Sequence, residues 1–380
     1  MLEEKNLYIK HIAIVLLIIN CLFSLFLFIS KKDEFSENEN KYLQKFPTLS
    51  LESIKNSSFM EKLESYTSDH FPFRNTFLNI KAQVEINLLN KDENKNVYIG
   101  KDDYLIEKYN SISDKNINKI TNVLNTFKKN NENVSIQLML VPTSYTINSD
   151  KLPAFTESNR QLMDIDKIYN KLGNIKTINV FPSLLDGKKK FSMFYRLDHH
   201  WTTFGAYYAY LSYCKENNID SLDLSSFNIK TVTDNFNGTL YSKASIYNFP
   251  SDEIHILEEK NKNNYEVNYV YSKIVKNSFY EENYLNKKDK YSYFLNNNHP
   301  LIEITNKNHV DDESILIIKD SYANSFVPII SNNYQKIYVI DPRFYKYPIT
   351  EYIRQNNIKT VLFLYNINTL EEDLGIISVK

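Results

Sequence analysis

The chain has 380 residues with 45 Lys and Arg against 46 Asp and Glu, a net charge of −1, and is 42% hydrophobic and 24% charged. This is a globular composition, long enough for one large domain or two modest ones, and its neutral balance lacks the basic surplus that phosphate recognition needs. Two Cys exclude a disulfide scaffold or Cys-rich zinc module, and six Gly without a GxGxxG or GxxxxGKS/T motif leave Rossmann and P-loop sites unsupported.

From the N-terminus, residues 1–11 read as a short cytoplasmic stub and 12–29 as an uncleaved transmembrane anchor. The stretch IAIVLLIINCLFSLFLFI carries no charge and spans about 27 Å as a helix, near the minimum for a bilayer core. Its exit, Phe28-Ile29-Ser30-Lys31-Lys32, is a poor cleavage site. Lys5 and Lys10 before it and Lys31 and Lys32 after it leave orientation undecided by charge. A short stub stays in the cytoplasm, which puts the rest outside. Cys21 in the anchor and Cys214 in the soluble part cannot pair, which suits a surface that does not depend on disulfides.

Residues 30–50 read as a tether and 51–380 as the extracytoplasmic domain. Apolar stripes through Leu51, Ile54, Phe59, Leu63 and Tyr66, and through Phe77, Ile80 and Val84, predict helices on either side of Pro72. Val97–Gly100 and Tyr104–Ile106 read as a hairpin. A helix over 113–130, a strand over 134–141, a helix over 157–172 and a strand over 177–181 give a βα alternation, hence a parallel sheet flanked by helices. Gly205–Glu216 is a further helix, and about 226–310 reads as an inserted β-rich subregion. The alternation resumes with strands at 314–318, 336–340 and 361–364, and helices between them.

Ligands of open α/β sheets bind beyond the carboxyl ends of the strands, so the late strands aim Asp320-Ser321, Arg343 and Asn366 at one crevice. Ser321, just after a buried strand and at a helix start, offers an exposed hydroxyl and a backbone N–H; Asp-Ser there is also an ordinary helix cap. A nucleophilic Ser needs a base and an orienting group. Of seven His, only His199 and His200 are adjacent, in Arg196-Leu197-Asp198-His199-His200-Trp201-Thr202. Residues i and i+2 share one side of an extended segment. Asp198 can therefore hold one nitrogen of His200 and leave the other for Ser321, with His199 turned away. Two alternatives stand beside this: polar residues satisfied at a helix N-terminus capped by Thr202 or Thr203, and a zinc site built on Asp198, His199 and His200, for which no HxH or HExxH spacing is present. Arg343 is a candidate for substrate oxygens or an acidic sugar, or else for an ion pair with Asp341. Tyr322 and Trp201 are candidate substrate contacts.

The stretch Arg196–Thr202 resembles the signature of the DHHW family, which is similar to the SGNH-hydrolase-like acetyltransferase domains of AlgX/AlgJ-type polysaccharide O-acetylation proteins. Asp69-His70-Phe71-Pro72-Phe73-Arg74, Val97-Tyr98-Ile99-Gly100 with Tyr104-Leu105, Phe236-Asn237-Gly238-Thr239-Leu240-Tyr241-Ser242-Lys243 and Lys319-Asp320-Ser321-Tyr322 follow in family order over roughly 40–370. The resemblance implies a circularly permuted SGNH-like α/β domain in which the nucleophile follows the Asp-x-His pair. By position, Asp198, His200 and Ser321 match the triad. The Ser321 N–H and Asn366 would form the oxyanion hole, and neither metal nor cofactor is called for. Lys319 stands where Gly is usual, which bears on how closely an acyl group approaches.

The implied activity is transfer of an acetyl group to hydroxyls of a cell-surface or exopolysaccharide through an acyl-Ser, outside a bacterial cell membrane. A membrane-bound O-acyltransferase partner would supply the acetyl group. The alternative is a membrane-tethered polysaccharide-binding or scaffold protein with little turnover. Tyr195, Tyr207, Tyr208, Tyr241 and Tyr247 suit either sugar stacking or core packing.

Overall fold

The computed structural model describes residues 2–29, 33–36, 41–246, 249–260, 264–309, 313–372 and 374–379. The chain divides into two compact units, residues 1–91 with 245–247 and residues 92–244 with 248–380.

The first unit holds helices α1 (Leu2–Ile29), α2 (Leu51–Lys55), α3 (Ser58–Asp69) and α4 (Arg74–Asn87), and a short ladder of β1 (Phe35–Ser36) with β2 (Lys41–Tyr42). Ser50 and Ser53 cap α2 reciprocally. The chain turns between α3 and α4 at Pro72, which has no N–H to continue a helix, and at Phe73, left-handed with φ 58°. The expected anchor at 12–29 requires correction: among the described residues no helix is long and apolar enough to cross a membrane. The described side chains of α1, Leu16, Leu17 and Leu25 among them, are exposed. The side chains of that run beyond Leu25 lie outside those described.

The second unit opens with an antiparallel sheet of β3 (Glu93–Asn94), β4 (Val97–Ile99) and β5 (Leu105–Glu107), which contains the expected hairpin. Then come α5 (Asp114–Asn130), β6 (Ser135–Val141), α6 (Ser144–Ile147), α7 (Arg160–Tyr169), β7 (Lys176–Thr177), α8 (Phe181–Lys188) and α9 (Thr203–Asn217). They are followed by β8 (Phe227–Phe236), α10 (Thr239–Ala244), β9 (Asp252–Glu259), β10 (Tyr265–Tyr269), β11 (Ile274–Lys276) and β12 (Leu301–Asn306). The last elements are β13 (Ser314–Lys319), α11 (Ala323–Ile330), β14 (Lys336–Ile340), α12 (Ile349–Gln355), β15 (Thr360–Asn366) and α13 (Thr369–Glu372).

Eight strands form the main sheet in the order β11-β10-β12-β14-β13-β15-β6-β7. The strands from β14 to β7 are mutually parallel, as expected, while β12, β10 and β11 join antiparallel. The β-rich stretch at 226–310 is therefore only partly a separate subregion. β8 and β9 pair with each other, but β10 to β12 extend the sheet, with alternate residues Tyr265, Val267 and Tyr269 buried. The expected strand at 177–181 is shorter: only Lys176–Thr177 pairs, and α8 begins at Phe181 with Pro182 in its first turn, where a missing N–H costs nothing.

The central strands are buried on both faces, as a parallel sheet covered by helices must be. Ile315 and Ile317 enter one core with α9 and α11, while Leu316 and Ile318 enter the other with α5 and α12. α5 fits its side because Ile117, Ile120, Leu124 and Phe127 form one buried stripe. Tyr195, Tyr207 and Tyr208 are buried, which assigns them to packing, and Tyr241 is half-buried; Tyr247 lies outside the described residues.

Phe363 on β15 is fully buried, with its ring 5.4 Å from that of Phe127 in an edge-to-face contact. Phe363→Ala should lower the unfolding free energy by about 3–5 kcal/mol, read as a lower urea midpoint at unchanged slope.

Candidate active site

The segment before α9 is a tight loop. Phe194 and Trp201 form an antiparallel bridge, and the Thr202 N–H donates to the Met193 carbonyl at 2.9 Å. Thr202 also caps α9 by accepting from the Gly205 N–H. Arg196 Nε and the Leu197 N–H donate to the Asp252 carboxylate at 3.1 and 2.8 Å. Held at both ends, the loop presents Asp198 and His200, 2% and 6% exposed.

Asp198 Oδ1 accepts from His200 Nδ1 at 2.6 Å and from the His200 N–H at 2.9 Å. Its Oδ2 accepts from the Thr239 N–H at 2.7 Å. His200 Nε2 lies 2.8 Å from Ser321 Oγ. With Nδ1 donating to a carboxylate, Nε2 is left to accept the Ser321 hydroxyl proton. Burial alone would raise the Asp198 pKa, yet the His199 and His200 rings and the Thr239 N–H hold the carboxyl well below the ordinary range. Burial, reinforced by His199, pushes His200 below its ordinary value against the pull of Asp198. The His200 ring is thus held neutral, in the form that can accept a proton.

Gly238 explains the Phe236–Lys243 stretch. A Cβ there would lie 2.3 Å from Asp198 Oδ2, so only glycine lets this backbone approach and bring the Thr239 N–H to the carboxylate.

Ser321 sits in the turn between β13 and α11, half-buried. Among the described residues its N–H meets no acceptor, whereas its carbonyl accepts from the Asn324 N–H at 3.1 Å. Asp320 fastens this turn by accepting from the Tyr322 N–H (2.9 Å), the Asn366 N–H (2.8 Å) and Thr369 Oγ1 (2.9 Å).

Several expected roles change. Asn366 Nδ2 donates to Asp320 Oδ2 at 2.7 Å and to Thr369 Oγ1 at 2.5 Å, so neither amide hydrogen is left for an oxyanion. Arg343 takes the ion-pair alternative, with Nε and Nη2 at 2.8 and 2.6 Å from the Asp341 carboxylate. Tyr322 and Trp201 have no exposed surface, so they support the site from behind instead of touching substrate. The Trp201 indole N–H reaches the Tyr322 carbonyl and Ser325 Oγ, both at 2.9 Å, and the Tyr322 hydroxyl donates to the His199 carbonyl. His199 does not turn away: its ring centroid is 4.0 Å from that of His200.

Asp198, His199 and His200 bring their donor atoms within 4.8 Å of one another. An ion there would have to displace the bonds from Asp198 to His200 and from His200 to Ser321, so the donor set does not fit a resident metal. One site residue had no signal in the sequence. The Tyr291 ring stacks on His200 at 3.6 Å and 11°, and its hydroxyl lies 3.1 Å from Ser325 Oγ.

The family described as "DHHW protein" matches residues 94–340. No curated protein matches the chain. Among solved structures, a DHHW family protein from Eubacterium siraeum DSM 15702 is 22% identical with a TM-score of 0.66, covering 75% of this chain and 95% of that one. Bacillus cereus PatB1 with a sulfonyl adduct is 19% identical with a TM-score of 0.61, covering 74% and 99%. These two share the fold. The O-acetyltransferase domain of Pseudomonas putida AlgJ, 12% identical over 72% of this chain and 92% of that one, has a TM-score of 0.42, too slight a likeness to argue from.

Gly238→Ala should displace Asp198 and cut turnover of an acetyl ester roughly a hundredfold while the thermal midpoint falls much less. Because burial disfavours the imidazolium, the base stays neutral below the ordinary pKa of 6.5. The rate should therefore hold as pH falls through 6.5, and its acid limb should titrate lower; a limb at or above 6.5 would contradict this.

Proposed function

The chain belongs to the DHHW protein family, and on that premise we propose that it is an O-acyltransferase that moves an acetyl group to hydroxyls of a cell-surface or exopolysaccharide through an acyl-Ser321 intermediate. The observation that carries the reading is the unbroken line from Asp198 through His200 to Ser321, at 2.6 and 2.8 Å.

In this mechanism His200 Nε2 takes the Ser321 proton as Oγ attacks the acyl carbonyl. The resulting oxyanion faces the Ser321 N–H, whose lack of an acceptor among the described residues suits it to that charge. Collapse breaks the bond to the donor's leaving group, which receives the proton from His200. A sugar hydroxyl then gives its proton to His200 and attacks the acyl group, and Ser321 is released with its proton restored. Asp198 keeps Nδ1 oriented and stabilises the imidazolium that forms twice per cycle. Water as acceptor would yield an esterase by the same steps.

The order of the residues, with Asp198 and His200 before Ser321, agrees with a permuted SGNH-like arrangement. The acetyl group would come from a membrane-bound O-acyltransferase on the extracytoplasmic side, where such a glycan acceptor lies. Lys319, in the place of the usual Gly, does not weigh against turnover, because its side chain is wholly buried and bonded to Asn298 and Asn324.

The test compares the wild type with Ser321→Ala on a chromogenic acetyl ester and maps the adduct left by a sulfonyl fluoride. Turnover should fall by about a thousandfold or more, with the adduct on Ser321. Equal rates and no Ser321 adduct would overturn the reading. His200→Ala should lose more activity than His199→Ala, and the reverse order would move the base to His199.

A further inference from the structure

Lys319 ends β13, two residues before Ser321, and has no exposed surface. Its ammonium donates to Asn298 Oδ1 at 2.6 Å and Asn324 Oδ1 at 2.8 Å, and lies 3.5 Å from Asp341 Oδ2. Asn324 Nδ2 also reaches Asn298 Oδ1, at 3.2 Å. One buried cation thus joins the end of β13, the first turn of α11, the end of β14 and the segment before β12.

That last segment needs holding. Leu295, Asn296 and Asn297 have φ of 54, 53 and 75°, a left-handed run that side chains disfavour by of order 1–3 kcal/mol each. The run is coupled back to Tyr291, since the Asn297 N–H donates to the Ser292 carbonyl and the Phe294 N–H to the Tyr291 carbonyl. Tyr291 is the ring stacked on His200. An aromatic face there blocks rotation of the imidazole away from Ser321 and favours the imidazolium as it forms.

We infer that Lys319 is a positioning residue for acyl transfer: by clamping Asn298 it holds the 291–298 turn, and with it the Tyr291 ring, against His200. The inference rests on the proposed role of Ser321 and His200. The charged groups facing the ammonium are Asp341 and, behind it, Arg343 from the end of β14, Asp320 next in the chain, and His299 from the clamped segment. Burial, with Arg343, brings the Lys319 pKa down to about 8, against the pull of Asp341 and Asp320. The cationic clamp is complete below that pH and is lost as pH rises through it, when the amine keeps two N–H groups for three acceptors. His299 is shifted downward, mainly by burial, so it titrates on the acid side and leaves this alkaline window to Lys319.

The test uses the full chain with Lys319→Met and Asn298→Ala, singly and together. It reads ester turnover against pH, and hydrogen exchange across residues 289–300. Each single variant should lower kcat roughly tenfold with KM nearly unchanged, and the double variant should be no slower than Lys319→Met, because both act through one contact. Wild-type activity should fall as pH rises through about 8, and Lys319→Met should lack that limb. Exchange should quicken in both variants. Additive losses, a retained alkaline limb in Lys319→Met, or unchanged exchange would overturn the inference. Should Lys319→Met fail to fold, Asn298→Ala at its partly exposed position decides alone, by kcat and exchange. Should wild type and Ser321→Ala turn over alike, the functional reading falls separately, and exchange still decides the clamp.

Discussion

The site depends on two segments 121 residues apart being laced together. The Trp201 indole N–H reaches forward to the Tyr322 carbonyl and Ser325 Oγ, and the Tyr322 hydroxyl reaches back to the His199 carbonyl. The two bonds from the Trp201 indole are buried, so breaking one strands a polar group where water cannot replace it, at about 1–3 kcal/mol. The 2.8 Å distance between His200 and Ser321 is a by-product of that lacing. The Trp and Tyr behind them bring the two backbones together, while Asp198 and the Tyr291 ring fix the imidazole itself. The triad proposed here would need its groups fixed within about half an ångström, and this lacing contributes to that.

The parallel sheet was legible because its strands are continuous apolar runs ending in Asp-Ser, Asp-Pro-Arg and Asn, and because helical stripes separate them. The pairing of Asp198 with His200 was legible from their spacing alone. What escaped was the choice of partner for each polar group. Asn366 and Arg343 stand at strand ends, where ligands bind, but each has a nearby carboxylate, Asp320 or Asp341, that takes its hydrogen bonds first. Nothing in a sequence ranks an internal acceptor against an absent substrate. Tyr291 was one tyrosine among 29, and its placement on His200 follows from a left-handed turn with no glycine to announce it. The strands of the 226–310 region alternate as antiparallel strands do, yet alternation does not say which sheet they join.

Buried charge is concentrated around the turn that carries Ser321. Asp320, Lys319 and Asp341 are each at most 1% exposed. Removing one partner from such a set leaves the others uncompensated, typically at about 3–5 kcal/mol, so these residues are constrained as a group. The arrangement gives up side-chain freedom at the turn that carries Ser321.

The strand order has a kinetic consequence. β6 is hydrogen-bonded to β15, made some two hundred residues after it, with Ser135 opposite Thr360. β13, β14 and β15, at the centre of the sheet, all come from the last quarter of the chain. As the polypeptide emerges during synthesis, β6 has its short neighbour β7 on one side and, on the other, an open edge awaiting residues some two hundred positions downstream. Pairings of such long sequence separation are slow to form, and an open apolar edge invites association with other chains. Closure of the sheet therefore waits on its last strands, and until they are made the edge of β6 is the part of the chain most exposed to wrong pairing.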